Sequence, residues 1–246
     1  MGTVASLRSA PLTSAVLTVI ERSFERTERV FSLYRHDSAL SRIARGELSL
    51  RSSGSEVLDA YAEALDWRAR TGGNFTPHRP DGTIDLSGIV KAIAISDAGE
   101  ILDANCDSWV LSVGGDVLVR GFDIGEDEPG VAAPWHCGVV DPDDRGGLLG
   151  VIALTGQRRA IATSGMAERG DHIWRTDRAE EFSQVSVIAS DIVTADVLAT
   201  AILSGGRDEL DRAVDAWPID VVAVTRTGEL LATPHIRSEW TPVTVA

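Results

Sequence analysis

The chain has 246 residues, 43% of them hydrophobic and 24% charged. That is enough apolar material for one sizeable core and too much for a chain that stays disordered. Its 23 basic residues against 37 acidic ones give a formal net charge of −14, which argues against an open nucleic-acid or anionic-membrane surface. Two cysteines, Cys106 and Cys137, cannot build a disulfide framework. The opening MGTVASLRSAPLTSAVLTVI shows no basic-then-apolar targeting segment, so the expectation is a soluble cytoplasmic protein without a membrane anchor.

Apolar positions at mixed three- and four-residue steps predict a helix over 12–30, with Pro11 just before it. A loop follows, then a short helix through Arg45, capped by Asp37 or Ser38 and stopped by Gly46. Residues 55–70 carry the clearest helical pattern, ending at Gly72-Gly73. The Pro-, Gly- and Asp-rich stretch 74–88 reads as loop, and 89–104 as a further helix. Strands are expected at 109–113 and 117–119, then at 136–140, 150–154 and 159–164 after an acidic loop over 123–135. Residues 165–183 read as irregular. A strand at 185–189, helices at 193–203 and 208–216, and closing strands at 221–224 and 230–232 complete the chain. Helices mixed with hairpin-like series of short strands predict an α+β fold rather than a doubly wound parallel sheet.

Lys91 is the only lysine; the other 22 of the 23 basic residues are arginine. An ammonium is a compact point charge where a guanidinium is a planar fork. It stands in IDLSGIVKA, at the start of a predicted helix, where backbone N–H groups and the helix dipole favour an anion. The P-loop spacing is absent. In TADVLATAIL, Asp196 and Thr200 lie four apart and share a helix face. A carboxylate and a hydroxyl are hard oxygen donors suited to Mg²⁺ shared with a phosphate; helix capping by Thr194 with a solvated Asp196 is the plainer alternative. VGGDV at 113–117 allows close backbone approach by a ligand, or equally a tight hairpin turn. His172 is a lone histidine, and Ser164 lacks a nucleophile elbow. The cysteines and histidines show no zinc-like spacing. TGGNFTPHRP, with Phe75, is either a helix stop with an anchoring aromatic or a wall beside a planar ligand.

Taken in order, these segments resemble the FAD:protein FMN transferase (ApbE) family. FSLYRHDSALSRI resembles FSxYxxDSxLSRxN, TGGNFTP resembles TGGxFDP, and IDLSGIVKA resembles xDLGGIAKG. MGT, VGGDV, SGMAER, DHI and TADVLATAIL resemble further elements of the same family. The resemblance implies one domain over 1–246, with mixed helices and mostly antiparallel sheets in two intimately packed lobes and the flavin site between them. It implies FAD as substrate, with contacts from Met1, Tyr34, Asn74, Phe75, Thr76, Asp85, Lys91 and Ile173. It implies a Mg²⁺ site from Asp196, Thr200 and the carbonyl of Gly88, and it places His172 near the reacting phosphate. The implied reaction attaches FMN to a threonine of an acceptor flavoprotein and releases AMP, with His172 or Asp196 as the base. The alternatives are an FAD pyrophosphatase and an FAD-binding protein without catalysis. The chain departs from the family pattern at Thr76, where Asp is usual, at Met166, and after Ile173, where WRTDRAEE replaces DPRTG.

Overall fold

The computed structural model describes residues 3–124, 132–165 and 181–242. Strand β1 (Ala5–Ser9) leads into helix α1 (Ser14–Phe31). Thr13 caps α1, its Oγ1 accepting the Val16 N–H at 3.4 Å. Helix α2 (Ala39–Ala44) is capped by Ser38, the second of the two residues expected there. Helix α3 (Ser55–Arg70) has the predicted bounds, and it stops where Gly72 and Gly73 take φ of 59° and 90°. Helix α4 (Ser87–Asp103) is apolar almost all round, burying Ile89, Val90, Ala92, Ala94, Ile95, Ala98, Gly99 and Leu102. A helix apolar on every face belongs inside the fold.

The strands of the main sheet are β2 (Trp109–Val113), β3 (Asp116–Arg120), β8 (Ala160–Gly165), β9 (Phe182–Ala189), β10 (Asp220–Thr225) and β11 (Leu230–Ala232), with β1 at one edge. The order is β1-β2-β3-β8-β9-β10-β11, and every neighbouring pair is antiparallel. Between β3 and β8 the chain forms the two-residue pair β4 (Asp123–Ile124) and β5 (Ala132–Ala133), then β6 (Trp135–Val140) and β7 (Leu148–Leu154). Strands β6 and β7 join β12 (Thr241–Pro242) in a second sheet.

Alternation along the main strands gives the sheet two apolar faces. Leu118, Ala160, Ala162, Val187, Val221 and Ala223 face a large core that includes α4 and helix α5 (Ile192–Ala216). Val119, Ile161, Ile188 and Val222 face a smaller core closed by Trp135, Cys137, Ile152 and Leu154 of the second sheet and by Ile236 of helix α6 (Pro234–Glu239). The expected α+β architecture of helices and antiparallel sheets is borne out.

Residues 193–203 and 208–216 are helical as expected, within α5, and Gly206 breaks the helix between them with φ 70°, ψ −154°. Two local expectations change. Asp191, not Thr194, caps α5, its Oδ1 accepting the Thr194 N–H at 2.8 Å. The 74–88 loop contains an antiparallel bridge between His78 and Ile84. The stretch expected to be irregular at 165–183 lies largely outside the described residues.

Candidate functional site

The hairpin between β2 and β3 places a carboxylate at one end of the main sheet. Gly114 and Gly115 have φ of 59° and 91°, the left-handed pair that a two-residue turn needs, and Val113 pairs with Asp116 across it. Asp116 is fully buried. Its Oδ1 accepts the Thr163 N–H of β8 at 3.2 Å, and its Oδ2 lies 2.5 Å from Lys91 Nζ. The same ammonium is 3.8 Å from Oδ1 of Asp196, also fully buried. Lys91 stands in the second turn of α4 and Asp196 in the second turn of α5. The only lysine therefore sits between two interior carboxylates, one from the sheet and one from a helix.

Thr200, one turn after Asp196 on α5, is joined to the sheet through Ser164 Oγ, 3.1 Å from its Oγ1. On the opposite face of the sheet, Thr163 Oγ1 lies 2.8 Å from Ser186 Oγ. The expected i,i+4 pair thus shares a corner with Lys91, Asp116 and the Ser164 hydroxyl. Asp196 is interior rather than solvated, against the plainer alternative reading.

The loop before α4 is ordered by its own polar groups. Arg79 grips Asp85 through Nε at 2.8 Å and Nη2 at 2.7 Å, and the Ser87 N–H donates to Asp85 Oδ1 at 3.0 Å. Burial alone pushes the Asp85 carboxyl up, but the Ser87 N–H and the Arg79 guanidinium outweigh it and hold the group below the usual carboxylate range. Gly88 lets Phe75 pack on the first turn of α4: a β-carbon there would be 3.1 Å from Phe75 Cε2. Phe75 is only 3% exposed. Thr76 Oγ1 accepts the His78 N–H at 3.3 Å.

The other expected contacts are placed apart from this corner. The Asn74 amide donates to Glu209 of α5 at 2.8 Å. Tyr34 is 84% exposed on the turn between α1 and α2. Its neighbour Arg35 lines a cleft of about 670 Å³ with Thr3, Phe24, Arg29 and Val113, and Val113 belongs to the hairpin that carries Asp116. Met1, His172 and Ile173 lie outside the described residues. Among the described residues no group of three or more His, Cys, Asp or Glu side chains is placed to hold a metal ion. Asp196 and Thr200, one helical turn apart on α5, offer a carboxylate and a hydroxyl, both hard oxygen donors.

Sequence reasoning passed over Asp116 and weighed Ser164 only as an unlikely nucleophile. The signal for Asp116 was present: a carboxylate wedged among Val113, Val117 and Leu118 must be buried with a partner or turned to solvent. Ser164 gave no signal, because its role depends on β8 lying over α5.

The fold is similar to that of three solved structures. Flavin transferase ApbE from Vibrio cholerae superposes with a TM-score of 0.76 at 21% identity, over 97% of this chain and 96% of that one. The ApbE protein of Thermotoga maritima gives 0.74 at 21% identity, over 96% of each chain. The apo form of Pseudomonas stutzeri flavinyl transferase ApbE gives 0.72 at 16% identity, again over 96% of each. At these identities the likeness establishes the fold. No curated protein matches the sequence. Residues 76–223, which carry Lys91, Asp116, Asp196 and Thr200, match the sequence model of the ApbE family, and the chain belongs to that family.

Proposed function

We propose that residues 1–246 act as one Mg²⁺-dependent FAD:protein FMN transferase, attaching FMN through a phosphoester to a threonine of a flavoprotein acceptor and releasing AMP. The observation that carries this reading is the convergence of Lys91 from α4 and Asp196 from α5 in one corner, 3.8 Å apart, with Thr200 one turn after Asp196. The ammonium suits a pyrophosphate, and the carboxylate and hydroxyl are hard oxygen donors that suit Mg²⁺.

Asp196, Thr200 and the Gly88 carbonyl would hold a Mg²⁺ ion, which would supply positive charge for the pyrophosphate. Lys91, held on its other side by Asp116, presents a fixed ammonium to the same anion. Asp196 is interior, and half-buried Thr200 is hydrogen-bonded to Ser164. Asp85, tied to Arg79 and the Ser87 N–H, fixes the entrance of α4. The acceptor threonine Oγ attacks the FMN-side phosphorus, the bond to the AMP oxygen breaks with its electron pair, and the threonine proton passes to His172 or Asp196. Loss of transfer with FAD binding intact in His172→Ala assigns the base to His172; an unchanged rate assigns it to Asp196.

The absence of a described helix long and apolar enough to cross a membrane fits a cytoplasmic setting and an acceptor found there. The test is mass spectrometry of a threonine-bearing acceptor flavoprotein incubated with this protein, FAD and Mg²⁺. The expected result is a mass gain of FMN less water, lost in Asp196→Ala. AMP release without a mass gain would replace the transferase with a pyrophosphatase. Bound FAD with neither product, across several acceptors, would reduce the protein to a flavin binder.

A further inference from the structure

Helix α5 carries Asp196 and Thr200 before its bend and a second polar cluster after it. Glu209 lies one turn beyond Gly206 and is 2% exposed. Its carboxylate takes Arg212 Nε at 2.9 Å and Nη2 at 2.5 Å, an ion pair within the helix. It also accepts the Asn74 amide at 2.8 Å. Arg212 Nη1 in turn donates to the carbonyl of Arg70 at 2.7 Å, satisfying an orphan acceptor at the end of α3. One ion pair on α5 therefore holds both ends of the 70–74 turn: Arg212 grips Arg70 and Glu209 grips Asn74.

Gly205, beside the bend, makes this grip possible. A β-carbon at residue 205 would stand 2.6 Å from Asn74 Cγ and 2.7 Å from Glu209 Cβ, so only glycine lets Asn74 lie against the helix there. Glu181 accepts the Arg207 N–H at 2.6 Å, supporting the restarted helix from the other side. From Asn74 the chain passes to Phe75, whose N–H donates to Thr71 Oγ1 at 3.2 Å and whose ring rests over Gly88. Gly88 is three residues before Lys91. A buried carboxylate on the metal helix is thus mechanically continuous with the loop before α4.

We propose that Glu209 is a positioning residue for the flavin site: with Arg212 it clips Asn74 to α5, and so fixes the Asn74–Thr76 backbone and Phe75 against the head of α4. The Asn74 side chain is spent on this clip, and what the loop offers FAD is its backbone. The inference rests on the transferase reading for its ligand, but the clip itself can be measured without one.

The variants are Glu209→Gln, Asn74→Ala, and the reciprocal pair Glu209→Gln with Asn74→Asp, which moves the carboxylate to the loop and the amide to the helix. Asn74→Ala leaves the Glu209–Arg212 ion pair in place, so it keeps the test open if Glu209→Gln does not fold. Two readouts are taken on the full chain: hydrogen exchange of residues 71–76 against residues 95–102, and the FAD dissociation constant from quenching of flavin fluorescence. Expected are at least tenfold faster exchange at 71–76 with 95–102 unchanged, and about tenfold weaker FAD binding in each single variant. The reciprocal pair should recover FAD affinity to within threefold of the parent. Unchanged exchange in both single variants overturns the clip. Faster exchange with parental FAD affinity overturns the positioning role. A parent protein that binds no FAD overturns the transferase reading instead, and the exchange data then decide the clip alone.

Discussion

The Nζ of Lys91 on α4 lies 2.5 Å from Oδ2 of Asp116 on β3. Asp116 is wholly buried and Lys91 has 14% of its side chain exposed. The pair is therefore held in a medium where screening by water is weak. The sheet holds the ammonium through Asp116, and Asp196 of α5 lies 3.8 Å from it.

Removing the ammonium strands two interior carboxylates. Lys91→Met is expected to lose about 3–5 kcal/mol of stability, the range for breaking a buried ion pair from one side. Urea unfolding measures it. Lys91→Arg should not restore the parent value, because a planar fork does not fit a gap shaped for a point charge. A Lys91→Met protein as stable as the parent would show that the ion pair contributes nothing to the fold.

The metal assignment separates Asp196 from Thr200. Asp196→Asn keeps the volume and removes the charge, so Mg²⁺-dependent FAD cleavage should fall by more than about a hundredfold. Thr200→Ser keeps an oxygen donor and should retain most activity, whereas Thr200→Val also deprives Ser164 of its partner and should not. Titration of activity against Mg²⁺ distinguishes the cases: a Thr200→Val protein saturating at the parental Mg²⁺ concentration would remove Thr200 from the ligand set.

His78 gives the fold an acid-side weakness. Its ring meets Tyr61 edge-on, with Nε2 2.9 Å from the phenol oxygen. Burial, with a smaller push from the Arg68 charge, lowers its pKa from 6.5. The unfolded chain then binds the proton more readily than the folded one, so stability is full above pH 6.5 and declines as pH falls through the histidine range. The expected result is a modest drop in Tm between pH 7.5 and pH 5.5 that is smaller in His78→Gln. An equal drop in both proteins would place the acid sensitivity elsewhere.

The two thiols should react unequally. Burial pushes Cys137 up to about 12 and leaves it 7% exposed, facing the smaller core. Cys106 is partly exposed, at the end of α4, with a pKa raised less far. A thiol reagent at pH 8 should label Cys106 slowly and Cys137 only after unfolding. Labelling of both at one rate would mean that the smaller core opens without global unfolding.

Much of this site was legible before any coordinates, and the parts that were not share a cause. Lys91 stood out because arginine fills every other basic position. Asp196 and Thr200 stood out because a helix repeat puts them on one face. Both signals are local in sequence. Asp116 was masked because VGGDV is also a good hairpin, and the structure shows that it is one, with the carboxylate as its consequence. The partnerships of Ser164 with Thr200 and of Asn74 with Glu209 depend on elements distant in the chain, and no spacing rule reaches across them. Helix α6 escaped notice because TPHIRSE is short and carries one buried residue, Ile236.

The register of the sheets bears on how this chain can acquire its shape. Ala5 of β1 pairs with Val113, about a hundred residues later, and Val151 of β7 pairs with Thr241 at almost the same remove. Neither pairing can close while the chain is still emerging from a ribosome at its midpoint. The first strand must wait for β2, and the second sheet must wait for the last strand described. High contact order of this kind slows folding and leaves apolar strands uncovered meanwhile. Production at low temperature or with chaperone support should therefore raise the soluble yield more than any single stabilising substitution.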